Sequence, residues 1–167
     1  MSQKEEILDY ESGYHEKRHH ALFNDVYYEA RSKIAKIKFF NSLKGGEKIL
    51  DYGCGMGQNI FDLANAEGFD ISEFALDHCR KKGSKVTNSI ENLPDNHYDI
   101  VFSSHVLEHH ENPKEMIEIM KSKLAPGGKL FLVIPHERHG KSDFELDLNQ
   151  HLFSWNFRAI NNLLLVS

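Results

Sequence analysis

The chain has 167 residues, of which 40% are hydrophobic, 11% aromatic and 27% charged. That is the makeup of a single soluble globular domain, which buries about 68–70% of its unfolded surface, and it excludes disordered, collagen-like and coiled-coil classes. Twenty lysines and arginines against 25 aspartates and glutamates leave a net charge of −5, which argues against a duplex nucleic acid gripped by its phosphates.

The longest apolar runs, 130–134 and 163–166, fall far short of the roughly 20 residues a membrane helix needs, so no membrane span is expected. Residues 1–6 carry charge without an apolar stretch, so no secretion signal is read. Cys54 and Cys79 are then expected as reduced thiols in the cytoplasm.

Residues 1–44 read as a helical arm and 45–167 as the unit that follows. Val26, Ala30, Ile34 and Ile37 share one helical face and are expected to be the buried one, with Arg31, Lys33, Lys36 and Lys38 turned elsewhere. Ahead of them lie Tyr10, Tyr14, His15, His19, His20 and Phe23, whose histidines read as solvated helix residues. Lys44-Gly45-Gly46 ends the helix.

Strands and helices alternate from there. Residues 48–52 form a short strand that runs into a glycine-rich turn and then a helix carrying Ile60, Phe61, Leu63 and Ala64. A second, very short strand falls at 68–71. Ser72 caps the next helix, which buries Leu76 and Cys79 and ends in Arg80-Lys81-Lys82 before Gly83. Residues 85–89 form a weak strand and 98–104 a strong one. Asn112, Pro113 and Glu115 supply an N-cap, a first-turn proline and a capping-box acid for a helix with Met116, Ile117, Met120 and Leu124 inside. Pro126-Gly127-Gly128 stops it, and 129–135 is expected as a buried strand. Ser154 is expected to cap a last helix with Ala159, Ile160, Leu163 and Leu164 inward, anchored by Trp155.

This alternation predicts an α/β fold, a doubly wound and mostly parallel sheet with helices on both faces. Such sheets bind ligands beyond the carboxyl ends of their strands, so the residues after strands matter most. The first strand ends in Asp51-Tyr52-Gly53-Cys54-Gly55-Met56-Gly57. Alternate glycines let the backbone turn sharply and approach a ligand, and their amides open toward a helix start that favours polar groups. A dinucleotide fingerprint would place a third glycine at position 58, which is Gln58, and the P-loop lysine is missing. A nicotinamide-binding Rossmann domain is thereby disfavoured, and a glycine turn without a ligand is the plain alternative.

Residues 49–57 resemble the first motif of the class I S-adenosylmethionine-dependent methyltransferases. Four further segments resemble that family in order: 68–72 at the end of its second strand, 89–94 after its third, 98–102 with Leu107-Glu108-His109 at its fourth, and 124–130 leading into its fifth. The resemblance implies a Rossmann-like methyltransferase fold and methyl transfer from S-adenosyl-L-methionine, leaving S-adenosyl-L-homocysteine. It implies that Gly53, Cys54 and Gly55 pack against the methionine part and that the Asp70 carboxylate accepts hydrogen bonds from both ribose hydroxyls. Ile71 would cover one adenine face, Ser89 and Ile90 would lie at the adenine edge, and Ser103 would sit beside the methionine group. Read without the family, Asp70 is an acid ahead of a helix in a capping role.

Two departures stand out. Ser89 occupies a position where many relatives have an acid, and only 17 residues separate Gly53 from Asp70, about four fewer than a helix and a full strand require. Either the second strand is stunted or a surface loop is absent. In the family two further strands follow the last helix; here the core reads as C-terminally truncated, leaving an open sheet edge that offers a route to a homodimer. The family's N-terminal arm folds over the cofactor, which makes residues 1–44 a lid lined by Tyr10 or Tyr14.

Histidines gather after the fourth and fifth strands: His105, His109 and His110, then His136 and His139, with His151 before the last helix. His109 or His105 is expected as a general base that takes a proton from an acceptor hydroxyl as the methyl moves. A second possibility is a metal held by His105, Glu108, His109 and His151, an arrangement with a faint similarity to metal-dependent small-RNA 2′-O-methyltransferases. In the third, these side chains only shape the pocket. The expected function is methyl transfer to an oxygen of a small-molecule or glycan-like acceptor without a metal. The alternatives are a metal-assisted methyltransferase acting on an RNA end and a non-catalytic S-adenosylmethionine-binding regulator.

Overall fold

The computed structural model describes residues 12–135 and 151–167. Its strands are β1 (Ile49–Tyr52), β2 (Ala66–Phe69), β3 (Lys85–Thr87), β4 (Tyr98–Ser104) and β5 (Leu124–Val133). All pair in parallel, in the order β3-β2-β1-β4-β5. The helices are α1 (Ser12–Arg18), α2 (Asp25–Phe39), α3 (Glu73–Lys81), α4 (Pro113–Lys123) and α5 (Phe157–Val166). This is the doubly wound α/β sheet that the alternation predicts.

Side chains that alternate along the central strands divide the core. Leu50, Tyr52 and Val101 turn to the face that carries Met116, Ile117 and Met120 of α4 and Ile160 of α5. Ile49, Ile100 and Phe102 turn to the other face, where Phe40 and Phe39 close over them. Local signals placed the helix ends at α3 and α4. The Ser72 hydroxyl accepts from the Ala75 amide at 3.2 Å, and the Asn112 side chain accepts from the Glu115 amide at 3.3 Å. At α5 the cap is Asn156, whose side-chain oxygen accepts from the Ala159 amide at 2.9 Å, and not Ser154. Either residue can cap, and the helix starts where its apolar positions meet the core.

Two larger departures share one cause. No helix follows the glycine turn among the described residues: 58–64 is a run of turns that leads directly into β2. The short spacing from Gly53 to Asp70 is therefore met by losing the crossover helix, while Ala66 and Glu67 belong to a four-residue strand. A chain without helical hydrogen bonds leaves carbonyls to satisfy, and α2 satisfies them. The Tyr28 hydroxyl donates to the Met56 carbonyl at 2.9 Å, Ser32 to that of Gln58 at 2.7 Å, and Lys36 reaches the Asp62 carbonyl at 3.4 Å.

That duty decides which face of α2 is buried. Tyr28, Ser32 and Ala35 point inward, while Val26, Ile34 and Ile37, expected to be buried, are 78%, 54% and 69% exposed. The helix also ends at Phe39, five residues before the Lys44-Gly45-Gly46 breaker. β5 forms one edge of the sheet and is half-exposed, with Phe131 39% open to solvent, so it is not the buried strand its composition suggests.

Candidate functional site

A cleft of about 860 Å3 opens at the carboxyl ends of β1, β2 and β4, where the order of a doubly wound sheet reverses. Its floor is the turn after β1. Gly53 adopts φ +78°, and a Cβ there would lie 2.2 Å from a methyl of Val106, so both the backbone conformation and the close approach of the loop after β4 require glycine. Gly53, Cys54 and Gly55 all face the cleft.

Asp70, the first residue after β2, ties this turn to the next helix. One carboxylate oxygen accepts from the Gly55 amide at 2.7 Å and the other from the Ser72 amide at 2.9 Å. Burial raises the Asp70 carboxyl above its ordinary range, and the backbone donors of Ser72, Gly55 and Ile71 together with His19 pull it back. Each oxygen retains a second acceptor position, so the group suits a pair of neighbouring hydroxyls. Ile71 beside it is 67% exposed at the cleft's edge.

The N-terminal helices cover this end. His15 is buried, contrary to the solvated role its sequence context suggests, and stacks on Phe74 with ring centroids 6.3 Å apart. Its ring lies 3.9 Å from the Cβ position of Gly55. His19 meets it edge-on at 5.3 Å, and Tyr14 contacts both. Tyr14, His15 and His19 line the cleft, whereas His20 is exposed and Tyr10 lies outside the described residues. Spacing by four along a helix was the signal that His15 and His19 share a face.

Ser103 and the β3 end differ from expectation. The Ser103 side chain is buried and its hydroxyl donates to the Tyr52 carbonyl at 2.9 Å; strand alternation leaves the next residue, Ser104, on the cleft wall. Ser89 donates to Glu91 at 2.7 Å and Ile90 packs on the core, and neither residue is part of that wall. Asn59 and Arg31 are, though sequence reasoning passed over both.

The opposite end of the cleft is built by the loop after β4. His105 has φ +58°, a conformation costing a non-glycine residue about 1–2 kcal/mol, and it breaks the strand so that a 3-10 turn, Leu107–His109, follows. His105, His109 and His151 line the cleft. Glu108 is fully buried beneath them. Its Oε1 lies 3.3 Å from Nδ1 of His105 and 3.9 Å from Nε2 of His151, and neither carboxylate oxygen has a hydrogen-bond donor among the described residues. His136 and His139 lie outside the described residues. Below the glycine turn, burial pushes the Asp51 carboxyl up to about 8, with Asp70 adding to the shift and Asn59 opposing it.

The chain is 30% identical to a phosphoethanolamine N-methyltransferase of Triticum aestivum over 54% of its length and 21% of the relative's. It is 32% identical to a tRNA U34 carboxymethyltransferase of Campylobacter hominis over 66% and 43%, and 32% identical to a ubiquinone biosynthesis O-methyltransferase of Shewanella pealeana over 52% and 42%. It thus spans between about a fifth and two fifths of the length of these curated relatives. Among solved structures it is similar to Haemonchus contortus phosphoethanolamine N-methyltransferase 2 in complex with S-adenosyl-L-methionine. That likeness has a TM-score of 0.61 at 20% identity, and covers 89% of this chain and 42% of that one. The sequence profile of the methyltransferase domain family matches residues 14–165, so the chain belongs to that family.

Proposed function

We propose that this chain is an S-adenosylmethionine-dependent methyltransferase acting on an oxygen of a small-molecule or glycan-like acceptor. The observation that carries the proposal is the Asp70 carboxylate. It is held by the Gly55 and Ser72 amides at 2.7 and 2.9 Å at the mouth of the glycine turn, with acceptor capacity left over. That acceptor capacity fits the cofactor: Asp70 holds the ribose hydroxyls, the backbone of Gly53, Cys54 and Gly55 packs against the methionine part, and Ile71 covers the adenine. When bound, the cofactor supplies a sulfonium methyl open to attack by a nucleophile.

The chain's own residues do the rest. Tyr14, His15 and His19 close over the Gly55 and Asp70 end as a lid and exclude water there. His105 and His109 stand at the acceptor end, and one imidazole takes the proton of the attacking hydroxyl. Histidines at the rim support oxygen as the acceptor. The net charge of −5 disfavours a polyanionic acceptor.

Titration calorimetry with S-adenosylmethionine and with NAD tests the first half, and release of S-adenosylhomocysteine across a panel of phenols, polyols and sugars tests the second. Binding of the sulfonium compound with turnover on an oxygen acceptor is expected. Binding of NAD alone refutes the reading, and cofactor binding with no turnover on any acceptor leaves a regulator in its place.

A further inference from the structure

From Glu108, His109 and His151, we infer that the acceptor end of this cleft is a divalent transition-metal site. Among the described residues these three form a group of metal-ligating side chains whose donor atoms all lie within 4.8 Å of one another. The inference rests on the methyltransferase reading only for the use of the metal, not for its binding.

Two features of the fold build the site. The 3-10 turn Leu107–His109 sets Glu108 and His109 side by side. The Leu152 and Phe153 amides then donate to the Glu108 carbonyl at 2.8 and 3.2 Å, which straps the segment carrying His151 onto that turn. The imidazoles of His109 and His151 consequently meet edge-on with centroids 4.9 Å apart.

The second and independent observation is the Glu108 side chain. It is 0% exposed, with both oxygens lacking a hydrogen-bond donor among the described residues. A buried carboxylate requires a compensating charge, and the nearest nitrogens, on His105 and His151, carry charge only when protonated. A divalent cation held against it by the two imidazoles supplies that charge. Two imidazoles and one carboxylate are the donor set of catalytic zinc and of other first-row metals that keep a position open. Metal–ligand bonds of 2.0–2.2 Å put tetrahedral donors about 3.4 Å apart, so the observed 3.9 Å between His151 and Glu108 needs only a small rotation to close.

His109 and His151 line the cleft, so the cation's open position faces the acceptor. There it binds the acceptor hydroxyl and lowers its pKa as a Lewis acid. The hydroxyl proton passes to water. The oxygen–methyl bond then forms as the sulfur–methyl bond breaks, and the sulfur leaves as a neutral thioether with that electron pair. His109 is in that case a ligand, and the metal replaces it as the means of activating the oxygen.

The test is to strip the protein with a chelator and titrate it with Co2+ and Zn2+, reading the visible absorption of Co2+ and the heat of Zn2+ binding. One equivalent is expected to bind in the wild type, with a Co2+ spectrum of low-symmetry nitrogen and oxygen ligation. His151→Gln and Glu108→Gln are each expected to weaken binding at least 100-fold; should the buried glutamine unfold the protein, the variant at His151, whose side chain keeps 16% exposure, decides alone. Failure of the wild type to bind an equivalent, or unchanged affinity in His151→Gln, overturns the inference. S-adenosylmethionine titrated into the stripped protein separates the two claims. Cofactor binding without metal binding sinks this site and spares the methyltransferase reading; metal binding without cofactor binding does the reverse.

Discussion

Replacing Asp70 by alanine tests the proposed site where it is most specific. In the structure its two oxygens accept from the Gly55 amide at 2.7 Å and the Ser72 amide at 2.9 Å, so the carboxylate holds the glycine turn against the start of α3 before any ligand arrives. Its remaining acceptor positions are those assigned to the ribose hydroxyls. Each hydrogen bond to a charged group contributes about 1.5–3 kcal/mol, so losing even one ribose contact raises the dissociation constant about 10- to 150-fold. Loss of the two backbone bonds lowers folding stability as well, by about 1–3 kcal/mol, because both amides are left without their acceptor. Asp70→Asn keeps the size but turns an amide NH2 toward one backbone N–H, so it is expected to bind almost as weakly as the alanine variant. Calorimetry with S-adenosylmethionine gives the affinity, and urea denaturation without ligand gives the stability. A wild-type dissociation constant in Asp70→Ala, with stability reduced, would show that the carboxylate only ties the two turns together and holds no sugar.

Other consequences are also open to measurement. The Asp51 carboxyl sits at about 8 when folded against 3.8 in the unfolded chain, so between those values the native state holds the extra proton and stability falls as pH rises, levelling above about 8. Each pH unit in that window costs about 1.36 kcal/mol; Asp51→Asn should remove this slope in urea titrations from pH 5 to 9, and an unchanged slope would place the proton elsewhere. Tyr28→Phe strands the buried Met56 carbonyl and should cost about 1–2 kcal/mol, measured by denaturation; a neutral result would mean that the crossover does not lean on α2. Asn156→Ala should cost about 0.5–2 kcal/mol, and a thermal melt left unchanged by it would move the start of α5.

Much of the fold was written locally. Short apolar runs bounded by glycine and polar residues marked β1 and β4, and Ser72 and Asn112 marked the starts of α3 and α4, because caps and alternation depend on neighbours in the chain. The glycine turn and Asp70 were legible for the same reason: each follows a strand whose direction decides where it ends up. The burial of α2 was not. Its apolar row Val26, Ile34, Ile37 outscores Tyr28, Ser32 and Ala35 as a core face, and only the helix-less crossover, with carbonyls to satisfy, selects the second row. The histidine cluster was legible in part: His105, Glu108, His109 and His151 were all candidates, and the tertiary chain path draws His151 to Glu108 and His109, through amides of 152 and 153 bonded to one carbonyl, with His105 outside that group. Sequence alone thus determined the class of sheet and the family of turn that opens it. Which helix face is covered and which side chains meet at the far end of the cleft were decided by long-range backbone demands that no local pattern encodes.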